Sequence, residues 1–148
     1  VIAWSENLTD EKAAAAGARR VTKQQLFELA DVISVHLVLS DRSRGIVGAQ
    51  DLARMKPGAV IINTSRGPLI DESALLTALQ AGKVAAGLDV YDREPLPADH
   101  PLRTLPNVVL TPHLGYVVRE SMSAFYTQLV ENALAFMDGK PIRLMSPS

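Results

Sequence analysis

The sequence predicts an α/β fold built on a parallel sheet with helices wound on both faces, and three observations carry that expectation. Short apolar, β-branched runs alternate with helical segments, a spacing that calls for right-handed crossovers between parallel strands. The runs are almost continuously apolar, as in sheets covered on both sides. Finally, Arg66, Glu94 and His113 each follow one of these runs, at Ala59–Ile62, Ala85–Val90 and Val108–Leu110. The carboxyl ends of parallel strands open onto one ligand crevice. A guanidinium, a carboxylate and an imidazole delivered there make an anion holder and an acid/base pair.

Each element has a local reason. Val1–Trp4 reads as a strand, and Asp10–Ala18 as an Ala-rich helix that breaks at Gly17. Thr22 with Gln25 forms a capping box that opens a helix over Lys23–Ala30. Asp31–Leu39, rich in Val and Ile, reads as a buried strand. Gln50–Met55 is a short helix stopped by Lys56-Pro57-Gly58, and Ala59–Asn63 is the next strand. Asp71 caps a helix over Glu72–Ala81, with Leu75, Leu76 and Leu79 on one face and Gly82 beyond its end. Strands at Val84–Val90 and Val108–Leu110 flank a Pro-rich loop. The longest helix is Arg119–Met137, whose Met122, Phe125, Leu129 and Phe136 form a stripe expected to stay exposed without an upstream domain. The strands beginning at Val1, Asp31, Ala59, Val84 and Val108 are expected to share one sheet.

At 148 residues the chain has room for one core of ordinary size. A formal charge of −1 without a basic run points to neither nucleic acid nor a membrane surface. No apolar stretch is long enough to span a bilayer. The absence of cysteine excludes disulfides and thiolate metal sites, and it fits a reducing cytoplasm. The chain opens on Val1 in the middle of an apolar run, so it reads as the back part of a longer protein.

In Asn63-Thr64-Ser65-Arg66-Gly67, small polar residues and a glycine let backbone approach a ligand, and Arg66 offers a planar fork for a carboxylate. An arginine so placed serves equally to tie the loop to a neighbouring acid. Asp89 lies inside an apolar strand and needs a partner, which a ligand amide or hydroxyl could supply. Glu94 precedes Pro95 in extended geometry. Pro112 stiffens the approach to His113, and Gly115 leaves room beside it. His36, within its strand, suits a core or backbone-capping role first and cofactor contact second. His100, between Asp99 and Pro101, reads as exposed loop without a role.

The stretches N-T-S-R-G-P-L-I-D-E-S-A-L-L, G-L-D-V-Y-D-R-E-P-L-P and L-T-P-H-L-G, in that order, resemble the D-isomer-specific 2-hydroxyacid dehydrogenase family. The resemblance implies a partial, Rossmann-like NAD(P)-binding domain over 1–116. It also implies a C-terminal helix and tail over 117–148 that pack on a substrate domain outside this chain. Arg66 would hold the substrate, and His113 would be the acid/base with Glu94 fixing its tautomer. Thr64, Ser65, Arg66, Asp89, His113 and Gly115 match positions around the nicotinamide half of the cofactor. Ser5, His36, Leu37 and Val38 match the adenosine and pyrophosphate side. The implied activity interconverts a 2-oxo acid and the (R)-2-hydroxy acid, without a metal, in a cytoplasmic homodimer whose isolated fragment is inactive. A dinucleotide-sensing, corepressor-like protein on the same fold is the alternative.

Three features depart from the family pattern. No G-x-G-x-x-G occurs, although the family carries it just before the strand at Val1. Ser5 stands where NAD-preferring members have Asp, and Glu6 follows without an adjacent arginine, which keeps NAD ahead of NADP. Val38 replaces a common proline, and Tyr116 follows Gly115 where smaller residues are usual.

Overall fold

The computed structural model describes residues 1–145 and divides into two compact units, Val1–His113 and a second that begins at Leu114. The last three residues of the expected 117–148 tail lie outside the described residues. In the first unit, β1 (Ile2–Ala3), α1 (Asp10–Ala15), β2 (Arg19–Arg20), α2 (Lys23–Leu29) and β3 (Val32–Val35) come first. They are followed by α3 (Ala49–Arg54), β4 (Val60–Asn63), α4 (Glu72–Gln80), β5 (Ala85–Leu88) and β6 (Val108–Leu110). Short 3₁₀ turns at Gly67–Leu69 and Pro101–Thr104 punctuate the loops.

Helix starts follow the sequence signals. The Thr22 hydroxyl accepts from the Gln25 N–H at 3.1 Å while the Gln25 side chain accepts from the Thr22 N–H at 3.0 Å, a complete capping box. Asp71 accepts from the Ala74 N–H at 3.0 Å and caps α4. Gly17 and Gly82 close α1 and α4 at φ 70° and 67°, the left-handed setting glycine adopts without a Cβ penalty.

All pairings are parallel, but the strands do not form one sheet. β3, β4, β5 and β6 lie in that order, with Val35 opposite Asn63, Asn63 opposite Leu88, and Leu88 opposite Leu110. β1 pairs instead with β2, a two-residue strand the sequence does not announce, because two arginines carry no apolar pattern. An apolar groove of about 600 Å³, lined by Ile2, Trp4, Phe27, Ile33 and Val35 among others, lies where β1 and β3 would have met. No direct ladder joins them, so each keeps an edge toward the groove.

Burial alternates along β3, β4 and β5 instead of staying continuous. Ile33, Val35, Ile61, Ala86 and Leu88 join Phe27 of α2, Leu52 of α3, and Leu75 and Leu79 of α4 in one hydrophobic cluster. The opposite face is half covered, with Val32 at 59% exposure. The apolar runs therefore overstate coverage, since this unit buries one face of the sheet against its helices.

In the second unit, α5 runs over Arg119–Met137, the bounds expected from its periodicity. Phe125, Leu129 and Phe136 are exposed and Met122 is half-buried, so the expected apolar stripe is present. Among the described residues, no helix is long and apolar enough to cross a membrane.

Candidate active site

The turn after β4 is organised by Asn63. This side chain shares the inward parity of Ile61 and is buried at 1% exposure. Its Nδ2 donates to the Arg66 carbonyl at 2.8 Å, and its Oδ1 accepts from the Ser65 N–H at 3.0 Å. The Ser65 hydroxyl donates to the Val35 carbonyl at 2.8 Å, which pins the turn to the end of β3. Arg66 is exposed and donates from Nη1 to the Ser65 carbonyl at 2.6 Å. Among the described residues it makes no ion pair, so it does not serve as a tie between the loop and an acid.

Gly67 packs the turn against the chain itself, not against a ligand. A Cβ there would lie 2.1 Å from the Tyr91 carbonyl carbon, 2.3 Å from its oxygen and 2.5 Å from the Asp92 nitrogen. The glycine lets the Arg66 turn touch the loop after β5, and so brings the first two site segments together.

That second loop carries Asp89, Tyr91 and Glu94. β5 ends at Leu88, so Asp89 sits just past the strand, buried at 5% exposure. Its backbone N–H donates to the Asn63 carbonyl at 3.0 Å, and its Oδ1 accepts from the Thr111 hydroxyl at 2.5 Å. The partner this buried acid needs thus includes a residue of the chain. Glu94 is bonded through both oxygens, with Oε1 accepting from the Tyr91 N–H at 3.0 Å and Oε2 lying 2.7 Å from His113 Nδ1. The hydrogen bond with His113 holds its carboxyl below the usual glutamate range against a smaller desolvation effect, helped by the Tyr91 N–H and by the charges of His113 and Arg66.

An ionised Glu94 only accepts, so His113 Nδ1 carries the proton between them. His113 holds φ 57°, a left-handed setting that costs a non-glycine residue energy and that clusters at functional sites.

The remaining residues distribute along the strand ends. β3 stops at Val35, four residues short of the expected Leu39, which leaves His36 exposed and outside the core. Its Nε2 lies 2.8 Å from the Ser34 hydroxyl. Ser5, His36 and Leu37 line the groove of about 600 Å³ beside β1. His36, Leu37, Val38, Ser65 and Arg66 line an adjoining cleft of about 460 Å³. Glu94 and His113 line a third, of about 510 Å³. Thr64 is exposed beside Ser65, and Gly115 sits in a turn of the second unit where the Val117 N–H meets the Leu114 carbonyl at 2.9 Å. The structure bonds Glu94 to His113 and brings Arg66 near enough to Glu94 for its charge to be felt, without a hydrogen bond between those two.

His100 is not the exposed loop residue the sequence suggested. Its side chain is 15% exposed, and Nδ1 accepts from the Leu102 N–H at 3.3 Å, so Nε2 carries the proton and faces Glu72 Oε1 at 3.3 Å. It caps the turn at Pro101–Thr104. Sequence reasoning also missed Asn63, Tyr91 and Thr111 as site-building residues. An asparagine at the inward parity of an apolar strand was the available signal for the first; the other two depend on loop geometry.

The family model for "D-isomer specific 2-hydroxyacid dehydrogenase, NAD binding domain" matches residues 1–115. Glyoxylate/hydroxypyruvate reductase B of Escherichia fergusonii is 42% identical over 123 residues, which cover 82% of this chain and 38% of that protein. The phosphoglycerate oxidoreductase structure from Vibrio cholerae O395 superposes with a TM-score of 0.87 at 40% identity, covering 93% of this chain and 45% of its own. D-lactate dehydrogenase from Lactobacillus jensenii, solved with NAD⁺, gives a TM-score of 0.79 at 27% identity, over 99% of this chain and 48% of that one. The chain thus spans less than half the length of the relatives it matches. The family model's span, the identity to these relatives and the superposition of the fold converge: the chain belongs to the D-isomer-specific 2-hydroxyacid dehydrogenase family and matches its NAD-binding domain over residues 1–115.

Proposed function

We propose that the complete protein interconverts a small 2-oxo acid and the (R)-2-hydroxy acid, with glyoxylate and hydroxypyruvate as the first substrates to try. The observation that carries the reading is the Glu94–His113 hydrogen bond of 2.7 Å at the carboxyl edge of the sheet. His113 gives a proton from Nε2 to the substrate 2-oxygen during reduction and takes it back during oxidation. Glu94 orients the ring and fixes which nitrogen carries the proton toward it. Arg66, exposed and without an ion pair among the described residues, grips the substrate carboxylate.

The clefts beside β1 and β3 suit an extended dinucleotide, because they share His36 and Leu37 and run from Ser5 to Arg66. Ser5, His36, Leu37 and Val38 would hold its adenosine and pyrophosphate side, and Thr64, Ser65 and Asp89 the nicotinamide side. The bound cofactor supplies or accepts the hydride. Glu6 beside Ser5, with no adjacent arginine, supports NAD over NADP. The family's habit supports a cytoplasmic homodimer, with α5 and the tail packing on the substrate domain.

The test is steady-state reduction of glyoxylate and hydroxypyruvate by the full-length protein with NADH and NADPH. Turnover that falls roughly 10²–10⁴-fold in His113→Ala supports the reading. Cofactor binding without turnover, or a near-normal kcat in that variant, refutes it.

A further inference from the structure

We propose that the Tyr91 hydroxyl is a positioning group that fixes where His113 meets Glu94; this rests on reading those two residues as the acid/base pair. Tyr91 is buried, at 8% exposure. Its backbone N–H donates to Glu94 Oε1 at 3.0 Å. Its hydroxyl faces two carbonyls, that of Thr111 at 2.8 Å and that of Leu88 at 3.1 Å. One proton serves both, with the shorter leg toward Thr111. Tyr91 therefore reaches both arms of the pair. It holds the carboxylate directly, and it holds the strand that delivers the imidazole.

The second contact matters because few soft torsions lie between the Thr111 carbonyl and His113. Pro112 has a fixed φ of its own and restricts the residue before it. His113 is already committed to φ 57°, a setting that persists only where its surroundings over-determine it. Two other bonds tie Thr111 to the neighbouring strand end, its N–H to the Leu88 carbonyl at 3.0 Å and its hydroxyl to Asp89 Oδ1 at 2.5 Å. Those bonds fix the residue. The phenol fixes the carbonyl plane that leads into Pro112, and hence the direction in which the chain presents His113. Burial, reinforced by the Asp89 charge, pushes the Tyr91 pKa up, so the phenol keeps its proton and remains a donor. Phenylalanine would fill the same space and lose the latch alone.

The experiment measures 2-oxo-acid reduction across pH in the full-length protein for wild type, Tyr91→Phe, His113→Ala and the double variant. Tyr91→Phe should keep its KM within about twofold and lose about tenfold in kcat, the scale of one hydrogen bond. Its pH profile should shift, because the imidazole no longer meets Glu94 squarely. In the His113→Ala background the same substitution should cost nothing further, since it acts through the imidazole. Wild-type kcat and pH profile in Tyr91→Phe overturn the proposal, and so does an equal loss with and without His113. If His113→Ala itself turns over normally, the acid/base reading fails first and takes the proposal with it. A lost kcat in His113→Ala beside a normal Tyr91→Phe overturns the positioning role alone.

Discussion

Gly67→Ala probes how the first two site segments are held together. The added methyl would lie 2.1 Å from the Tyr91 carbonyl carbon, 2.3 Å from its oxygen and 2.5 Å from the Asp92 nitrogen. Carbon atoms in contact settle near 3.5–4.0 Å, so one backbone must retreat by more than about 1 Å. All three obstructing atoms are main chain, and no side-chain rotation relieves them. Overpacking of this kind costs about 1–3 kcal/mol, with a drop in the thermal midpoint of about 2–4 °C per kcal/mol in a domain of this size. The displacement also carries Arg66, the neighbouring residue, away from the Glu94–His113 pair. A shift of about 1 Å in a positioning group can cost on the order of 10²-fold in kcat/KM. Thermal unfolding and 2-oxo-acid kinetics of the full-length variant measure the two effects. A midpoint within about 1 °C of wild type together with an unchanged KM would show that the turns are not packed as described.

Arg66→Ala should raise the KM for the 2-oxo acid strongly and lower kcat as well, because it removes the charged grip on the carboxylate; a KM equal to wild type in steady-state assays would assign the substrate anion to another residue. Glu94→Gln should reduce kcat less than His113→Ala, since an amide oxygen can still accept from Nδ1 but no longer carries the carboxylate charge; a kcat equal to wild type in steady-state assays counts against the pair. Glu94 also links stability to pH. Its folded-state pKa is depressed, so its contribution is present above the ordinary glutamate value of 4.5 and is lost as pH falls through the lower folded value. The thermal-midpoint gap between wild type and Glu94→Gln should therefore hold near neutrality and narrow only in acid, as pH-dependent melting will show.

Much of the molecule is determined by local sequence. Thr22 with Gln25, Asp71, Gly17 and Gly82 mark helix ends through bonds to neighbours three or four residues away, so their reading needs no tertiary context. The alternation of strands and helices fixes parallel pairing, and the three strand-end segments fix which residues can meet at the carboxyl edge. Tertiary structure decided the rest. β1 left the main sheet for Arg19–Arg20, because ladder partners are chosen by space and not by apolar pattern. β3 ended at Val35 and exposed His36, since an apolar run continues past the point where hydrogen-bonded neighbours stop. The bond that assigned Asp89 to Thr111, the phenol of Tyr91 across two carbonyls, and the approach of Gly67 to Tyr91 join residues that, apart from the Tyr91–Leu88 leg, lie twenty or more positions apart. Composition and periodicity report burial and local propensity. Which polar groups satisfy one another depends on loop paths that exist only once the core has packed.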